Sequence, residues 1–247
     1  VDESLLISFA DLEERHWWFV VRRQIVLSAI ESSDIKDDAD VVEVGCGTGG
    51  FARELGRRHP DWRILGVEPS EQAAGIARAR GCEVVLGSFE SLPAEDRSLD
   101  LVVALDVLEH CEFDGAASSE AARALKPGGR FVLTVPALPS LWSSHDDANR
   151  HYRRYTRSTL HSALDGAGFA VDRMTYFNSF LLPAGYVSRF ISRATGSRKA
   201  LGVDLPVAPV NATMKAVFSA EAALVSRVDL PLGMSLLAVC SKRNTTT

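Results

Sequence analysis

Three groups of residues in this chain have the types and spacing to do chemistry. The first is a carboxylate ahead of a glycine run: Glu43, then Gly45, Gly47, Gly49 and Gly50, within VVEVGCGTGGFARELG. Glycine lets the backbone turn sharply and leaves no Cβ where a ligand lies on the main chain. A helix starting directly after the turn offers unpaired N–H groups. Such a turn suits a nucleotide-like cofactor. The second is Glu68, which ends the apolar run RILGVE at a distance suited to a ribose-binding acid. The third is the polar stretch ALPSLWSSHDDANRHYRRYT. Its His145 and His151 can take a proton near pH 7, against the plainer reading of solvated loop histidines. His145, Asp146, Asp147 and His151 could also supply metal ligands, but no tight spacing fixes a site, and the expectation is that no metal is held. Glu109-His110 either reaches the substrate side or caps a helix start.

These residues need elements to position them. Apolar runs at 41–45, 63–67, 83–86, 99–105 and 130–135 are near-continuous, the pattern of parallel strands buried on both faces. Helical patterns at 50–59, 70–80 and 114–126 intervene, the last stopped by Lys126-Pro127-Gly128-Gly129. The alternation predicts a doubly wound, mostly parallel α/β sheet. Its ligand site should lie where strand order reverses, gathering Gly45, Glu68, Ser88, Leu105 and Pro136 round one crevice. A helix at 157–166 and strands at 170–176 and 234–243 bring the sheet to seven strands.

Ahead of the sheet, residues 4–31 show helical periodicity in two pieces, separated by Arg15-His16-Trp17-Trp18-Phe19. Three adjacent aromatics cannot share one helix face, so at least one points toward a cleft or a neighbouring element. With Arg22 or Arg23 available to a carboxylate, the segment reads as a cap over the cofactor; the alternative is aromatic packing with solvated arginines. An insertion at 179–232 precedes the last strand. Phe177, Leu181, Val187, Phe190 and Ile191 form one amphipathic stripe, and Met214, Val217, Phe218, Leu224, Val225 and Val228 another, with a Gly/Pro-containing connector from Gly196 to Pro209 between them. The insertion reads first as a lid or packing layer, second as a homodimer surface, and third as a peripheral membrane contact, because Arg189, Arg193, Arg198 and Lys199 lie near one stripe.

At 247 residues and 46% apolar, with no 18-residue apolar run, the chain suits one soluble domain: a helical cap at 1–36, a core at 37–178 and 233–243, and the insertion. The net charge of −5 disfavours nucleic acid as a partner, while leaving room for a local basic patch. The four cysteines, Cys46, Cys82, Cys111 and Cys240, are scattered without a C-x-x-C pair, which argues against a zinc ribbon or a disulfide framework and suits a reducing cytoplasm. The acidic start shows no signal-peptide pattern, although a chain beginning at Val1 leaves a processed leader open.

The ordered set EVGCGTGG, GVEPS, GSFESLP, DLVVALDVLEH, ALKPGGRFVLTVP and GAGF before a late strand resembles the class I S-adenosylmethionine-dependent methyltransferases, from about Val41 to Tyr176 plus the final strand. The LDVLEH, WWF and HDD segments are similar to the branch containing the quinone O-methyltransferases, a likeness that carries no substrate with it. The resemblance implies a Rossmann-like fold, S-adenosylmethionine as cofactor and S-adenosylhomocysteine as product. Gly45, Gly47 and Gly49, with Cys46, would then lie under the methionine part, and Glu43 near its amino group. Glu68, followed by Pro69, would accept from the ribose hydroxyls, as an ionised carboxylate has only acceptor sites. Leu105 would meet adenosine, and Trp18 and Arg23 would join from the N-terminal segment. The family often has an acid after the third strand that receives the adenine amino group. Here that place is Ser88, and Phe89 offers a stacking surface instead.

A sulfonium methyl is already activated, so transfer needs an aligned nucleophile, plus a base such as His145 or His151 if the acceptor is a hydroxyl. The expected acceptor is a small molecule, methylated on O or N. An anionic one could dock on Arg150, Arg153, Arg154 and Arg157, interleaved with Tyr152 and Tyr155, unless these form a solvated or salt-bridged face. Two rivals remain. Gly45, Gly47, Gly50 and Glu68 permit a nicotinamide-dependent oxidoreductase, against which stand the missing Tyr-x-x-x-Lys pair and second domain. A binding module that keeps the cofactor without turnover is the other.

Overall fold

A computed structural model of the chain describes residues 3–187 and 205–243. Two helices open it, α1 (Glu3–Arg15) and α2 (Trp17–Glu31). The break falls at His16, whose backbone is extended and whose side chain accepts from Trp18 N at 3.2 Å, an N-cap for α2. Then β1 (Asp40–Val44), α3 (Gly50–Arg58), β2 (Arg63–Glu68), α4 (Glu71–Ala79), β3 (Glu83–Leu86), β4 (Leu99–Leu105), α5 (Asp114–Ala124) and β5 (Leu125–Pro136) alternate as the apolar runs require. After them come α6 (Ser144–Ala148), α7 (Arg157–Gly166), β6 (Phe169–Phe177), α8 (Ala208–Val225) and β7 (Ser235–Lys242).

The seven strands lie in the order β3-β2-β1-β4-β5-β7-β6, with β7 antiparallel to both its neighbours and the other pairings parallel. Strand order reverses between β1 and β4, so their carboxyl ends flank the crevice where such sheets bind ligands.

The structure departs from expectation in four places. The helix expected over 114–126 ends at Ala124, and β5 begins at Leu125 rather than 130. Pro127 is tolerated because pairing with β4 slips between Leu99 and Leu101, where no ladder N–H is needed. The polar loop after β5 holds a short helix, α6, fixed by a capping box between Ser143 and Asp146. Phe177, assigned to the insertion's first stripe, closes β6 instead. The second stripe lies on α8, which starts with Pro209 in its first turn and buries Phe218 and Val225 but leaves Leu224 exposed, as is Val228 just beyond it. Phe190, Ile191, Arg189, Arg193, Arg198, Lys199 and most of the Gly196–Pro209 connector lie outside the described residues.

Apolar side chains pack on both sheet faces. One face meets α5 and α7 through Phe131, Leu133, Leu160, Leu164 and Phe169. The other meets α2, α3 and α8 through Val21, Ile25, Leu55, Leu101, Phe177 and Phe218. There Trp18, Phe177 and Phe218 stack nearly parallel, with interplanar angles of 12°, 7° and 5°. The Asn211 side chain on α8 accepts from Trp17 N and donates to Arg15 O, both at 3.0 Å, tying α8 to the α1–α2 break. These contacts hold the N-terminal helices over the sheet's carboxyl edge. No described helix is long and apolar enough to cross a membrane.

Candidate active site

The glycine turn after β1 is built as its sequence requires. Gly45, Gly47 and Gly49 all have positive φ. At Gly45 (φ 65°) a Cβ would also sit 2.5 Å from Val107 Cγ2, so both conformation and space exclude a side chain. Glu68, at the end of β2, is 8% exposed. Its Oε2 accepts from Gly47 N at 2.9 Å and its Oε1 from Ser70 N at 3.0 Å. The carboxylate thus clamps the turn to the next helix start, with lone-pair capacity left on each oxygen.

Glu43 is fully buried below the turn. Burial, with the Glu13 charge added, pushes its carboxyl up to about 8, against the pull of Arg22. Its Oε2 meets no hydrogen-bond donor among the described residues.

One contact had no signal in the sequence. Helix α1 lands on the turn: Thr48 Oγ1 donates to Glu13 Oε1 at 2.6 Å, and a Cβ on Gly50 would lie 1.9 Å from Glu13 Oε2. Arg80 donates to Thr48 O at 2.8 Å and to Glu14 Oε1 at 2.6 Å, while Arg23 reaches Glu13 O at 2.8 Å. Burial raises the Glu13 carboxyl; it also opposes ionisation of Glu14, but Arg23, Arg53 and Arg80 outweigh it there and lower that group. Arg23, expected at the cofactor, pairs with the chain's own Glu14 at 3.2 Å, and Arg22 pairs with Asp106. Asp106 was missed; its signal is an Asp directly after a buried strand, where it takes φ 56°, a conformation Asp adopts more readily than most residues.

A cavity of about 520 Å³ lies between α1, α2 and the strand ends. It brings together Trp18, Arg22, Arg23, Glu43, Gly45, Cys46, Gly47, Leu105, Glu109, His110, His145, His151 and Arg154 from the expected residues, and adds Glu13 and Asp106. Gly49, Glu68, Pro69, Ser88 and Phe89 lie outside its lining. Pro69 and Ser88 are exposed, and Ser88 bridges to Ser91. Phe89 offers no stacking surface: it is buried, edge-on to Phe131 at 6.1 Å, because the apolar ring gains more from the core than from a polar rim.

The histidine loop is tied down by Asp146. Its Oδ2 accepts from Ser143 N at 2.8 Å, and its Oδ1 lies 2.7 Å from Arg154 Nε and 3.0 Å from His151 Nδ1. Burial opposes ionisation, but His151 and Arg154 hold this carboxyl below the ordinary range. Asp146 is therefore engaged on both oxygens within the loop, and Asp147 Oδ1 accepts from Trp142 Nε1 at 2.9 Å. The arginine cluster is likewise largely structural. Arg154 is 7% exposed in its pair with Asp146, and Arg153 pairs with Asp114 at 2.9 Å, which also accepts from buried Tyr155. His145 and His151 face each other with ring centroids 6.3 Å apart, and His110 and His151 at 4.7 Å.

A glycine turn at the reversal point, an acid ending β2 and one cavity reaching from the turn to a histidine loop are the features of a doubly wound fold with room for a ligand at the carboxyl ends of its strands. Comparison with known proteins narrows the class. Residues 42–133 match the model of a methyltransferase domain. The chain is 30% identical over 168 residues to a Mycolicibacterium smegmatis protein named "Probable S-adenosylmethionine-dependent methyltransferase", covering 65% of this chain and 62% of that one. It is 29% identical over 157 residues to a Bos taurus protein named "Probable tRNA methyltransferase 9B", covering 62% of this chain and 30% of that protein. Among solved structures, a Haloferax volcanii chain in complex with the Trm112 methyltransferase activator superposes with a TM-score of 0.65 at 20% identity, over 98% of this chain and 97% of that one. Residues 42–133 thus form a methyltransferase domain, and the match to a protein named as an S-adenosylmethionine-dependent methyltransferase supports that cofactor over a nicotinamide. The chain spans 55%, 30% and 62% of the length of three curated relatives it matches.

Proposed function

We propose that the chain transfers a methyl group from S-adenosylmethionine to an oxygen or nitrogen of a small-molecule acceptor. The observation that carries this is one continuous cavity running from Glu43, Gly45 and Gly47 to His145 and His151 beside Phe9, Trp17, Trp18 and Phe19: it has the volume of a small-ligand site. In this reading the bare main chain of Gly45 and Gly47 lies under the methionine tail, Glu43 faces its ammonium, and Glu68 accepts from the ribose. The apolar roof excludes water and holds the acceptor in line with the sulfonium methyl. When the acceptor is a hydroxyl, His145 takes its proton. The scattered free cysteines fit a reducing compartment such as the cytoplasm.

The test is incubation with methyl-labelled cofactor and a metabolite extract. A labelled small molecule is expected by mass spectrometry, and no transfer to any acceptor despite tight cofactor binding would favour a non-catalytic module. The relative named for tRNA methylation motivates a second reading, a tRNA acceptor. Against it stand the net charge of −5 and the engagement of Arg153 and Arg154 with Asp114 and Asp146. A parallel incubation with bulk tRNA decides: label confined to tRNA would replace the small-molecule acceptor.

A further inference from the structure

We propose that Glu109, His110 and His151 form a binding site for one divalent transition-metal ion at the acceptor end of the cavity. One ligand atom from each of the three lies within 4.8 Å of the others. A tetrahedral ion with bonds of about 2.1 Å places its ligand atoms roughly 3.4 Å apart, so modest rotation of the exposed His110 ring closes the set. The two chain segments are already fixed against each other, because Tyr152 N donates to Glu109 O at 2.8 Å. The 3₁₀ turn Leu108–His110 presents Glu109 and His110 together at the cavity wall.

An independent observation points to a cation. Glu109 is 1% exposed, and neither of its carboxyl oxygens meets a hydrogen-bond partner among the described residues. Buried polar groups are normally partnered, and a buried carboxyl left without partners is destabilising. Protonation does not remove the difficulty, since the O–H would then need an acceptor. The neighbouring Arg22 cannot serve, being committed to Asp106. A cation between Glu109 and the two imidazoles gives the Glu109 carboxyl the partner that Arg22, held by Asp106, does not supply.

The surroundings are those of a metal-binding histidine. His151 faces Asp146 through Nδ1 at 3.0 Å, which leaves Nε2 as the ligand atom, and Asp146 is itself anchored by Arg154 and Ser143 N. Two imidazoles and one carboxylate favour zinc or another borderline first-row ion over Mg²⁺ or Ca²⁺, which prefer all-oxygen shells. Three protein ligands leave coordination positions open, as in catalytic sites, and all three ligands line the cavity. The metal site stands on this geometry alone. Its role rests on the methyl-transfer reading: an acceptor hydroxyl bound to the ion loses its proton to His145, its oxygen lone pair forms the new O–CH₃ bond, and the S–CH₃ electron pair leaves with S-adenosylhomocysteine. The acceptor class would then be an oxygen nucleophile.

The experiment strips the full chain with chelator and titrates Zn²⁺, Mn²⁺ and Mg²⁺ calorimetrically, with Co²⁺ absorption as a second readout. One Zn²⁺ per chain is expected, in preference to Mg²⁺, with visible Co²⁺ bands of a nitrogen- and oxygen-ligated site. Glu109→Gln and the exposed-site variant His110→Asn should abolish both signals, His145→Ala should keep them, and Asp146→Asn, which acts through His151, should weaken binding about 10- to 100-fold. Stabilisation by S-adenosylhomocysteine checks that each variant is folded. Equal Zn²⁺ binding by wild type and folded His110→Asn, or none by wild type, overturns the proposal. No acceptor or turnover enters the titration, so this outcome is separate from failure of the methyl-transfer reading.

Discussion

Glu68→Gln separates the structural duty of this side chain from its proposed duty toward the cofactor. In the free chain Glu68 accepts from Gly47 N and Ser70 N with its two oxygens. Glutamine keeps one acceptor and turns an NH₂ toward the other N–H, leaving a buried donor without a partner at a cost of about 1–3 kcal/mol. A chain of this size loses roughly 2–4 °C of melting temperature per kcal/mol. The effect on the cofactor is a separate quantity. Hydrogen bonds to a charged acceptor contribute about 1.5–3 kcal/mol and neutral ones about 0.5–1.5, so the ribose should lose about 1–2 kcal/mol. That corresponds to roughly 5- to 30-fold weaker S-adenosylhomocysteine binding by calorimetry. Ser70→Ala is the control: it removes the α4 N-cap, whose Oγ accepts from Ala73 N at 3.3 Å, but keeps the backbone N–H that Glu68 holds. It should lower stability by about 1 kcal/mol with affinity unchanged. If both variants lose affinity equally, or Glu68→Gln loses none, Glu68 holds the turn and not the sugar.

Further outcomes follow from the same geometry. Gly45→Ala forces an alanine to φ 65° and sets a Cβ 2.5 Å from Val107 Cγ2. The conformation alone costs about 1–2 kcal/mol, so melting should drop and the stabilisation by S-adenosylhomocysteine should vanish; an unshifted melt contradicts this. Glu43 is raised from an ordinary 4.5 to about 8, so between those values the folded chain holds a proton that the unfolded chain has released. Its contribution to stability therefore falls as pH rises through that window, and Glu43→Gln should flatten the slope. Cofactor ammonium beside Glu43 favours the carboxylate, so binding near pH 7 should release a proton, measured by calorimetry in buffers of different ionisation enthalpy; no release would remove Glu43 from the ammonium. Phe218→Ala removes one of the three mutually stacked rings Trp18, Phe177 and Phe218 and should cost about 3–5 kcal/mol in denaturant unfolding. A loss under about 1 kcal/mol would mean α8 does not hold α2 in place.

The parallel strands were legible because each contains a short, near-continuous apolar run, and the observed β1 to β4 begin and end within a residue or two of those runs. Strand β7 was visible as a strand, but its antiparallel insertion between β5 and β6 depends on distant pairing partners, such as Arg130 for Ser241 and Phe177 for Ser235. The glycine turn and Glu68 were readable because their chemistry is local to two strand ends. What was not readable is tertiary. Glu13 and Glu14 look like ordinary acids on an amphipathic helix, and only the fold sets them over Thr48 and Arg80. Phe89 looked available because it follows a strand; its burial against Phe131 depends on β5. In the HDD stretch, acid and histidine could be told apart as loop anchor and cavity lining only once Arg154 was seen to claim Asp146.

The most direct measurement is a crystal structure of the chain grown with S-adenosylhomocysteine. The nucleoside should lie across the gap between β1 and β4, its amino-acid tail over Gly45 and Gly47, its sugar hydroxyls on Glu68 and its sulfur facing His145 and His151. A nucleoside bound elsewhere, or that gap filled while Glu68 still touches only Gly47 N and Ser70 N, would contradict it.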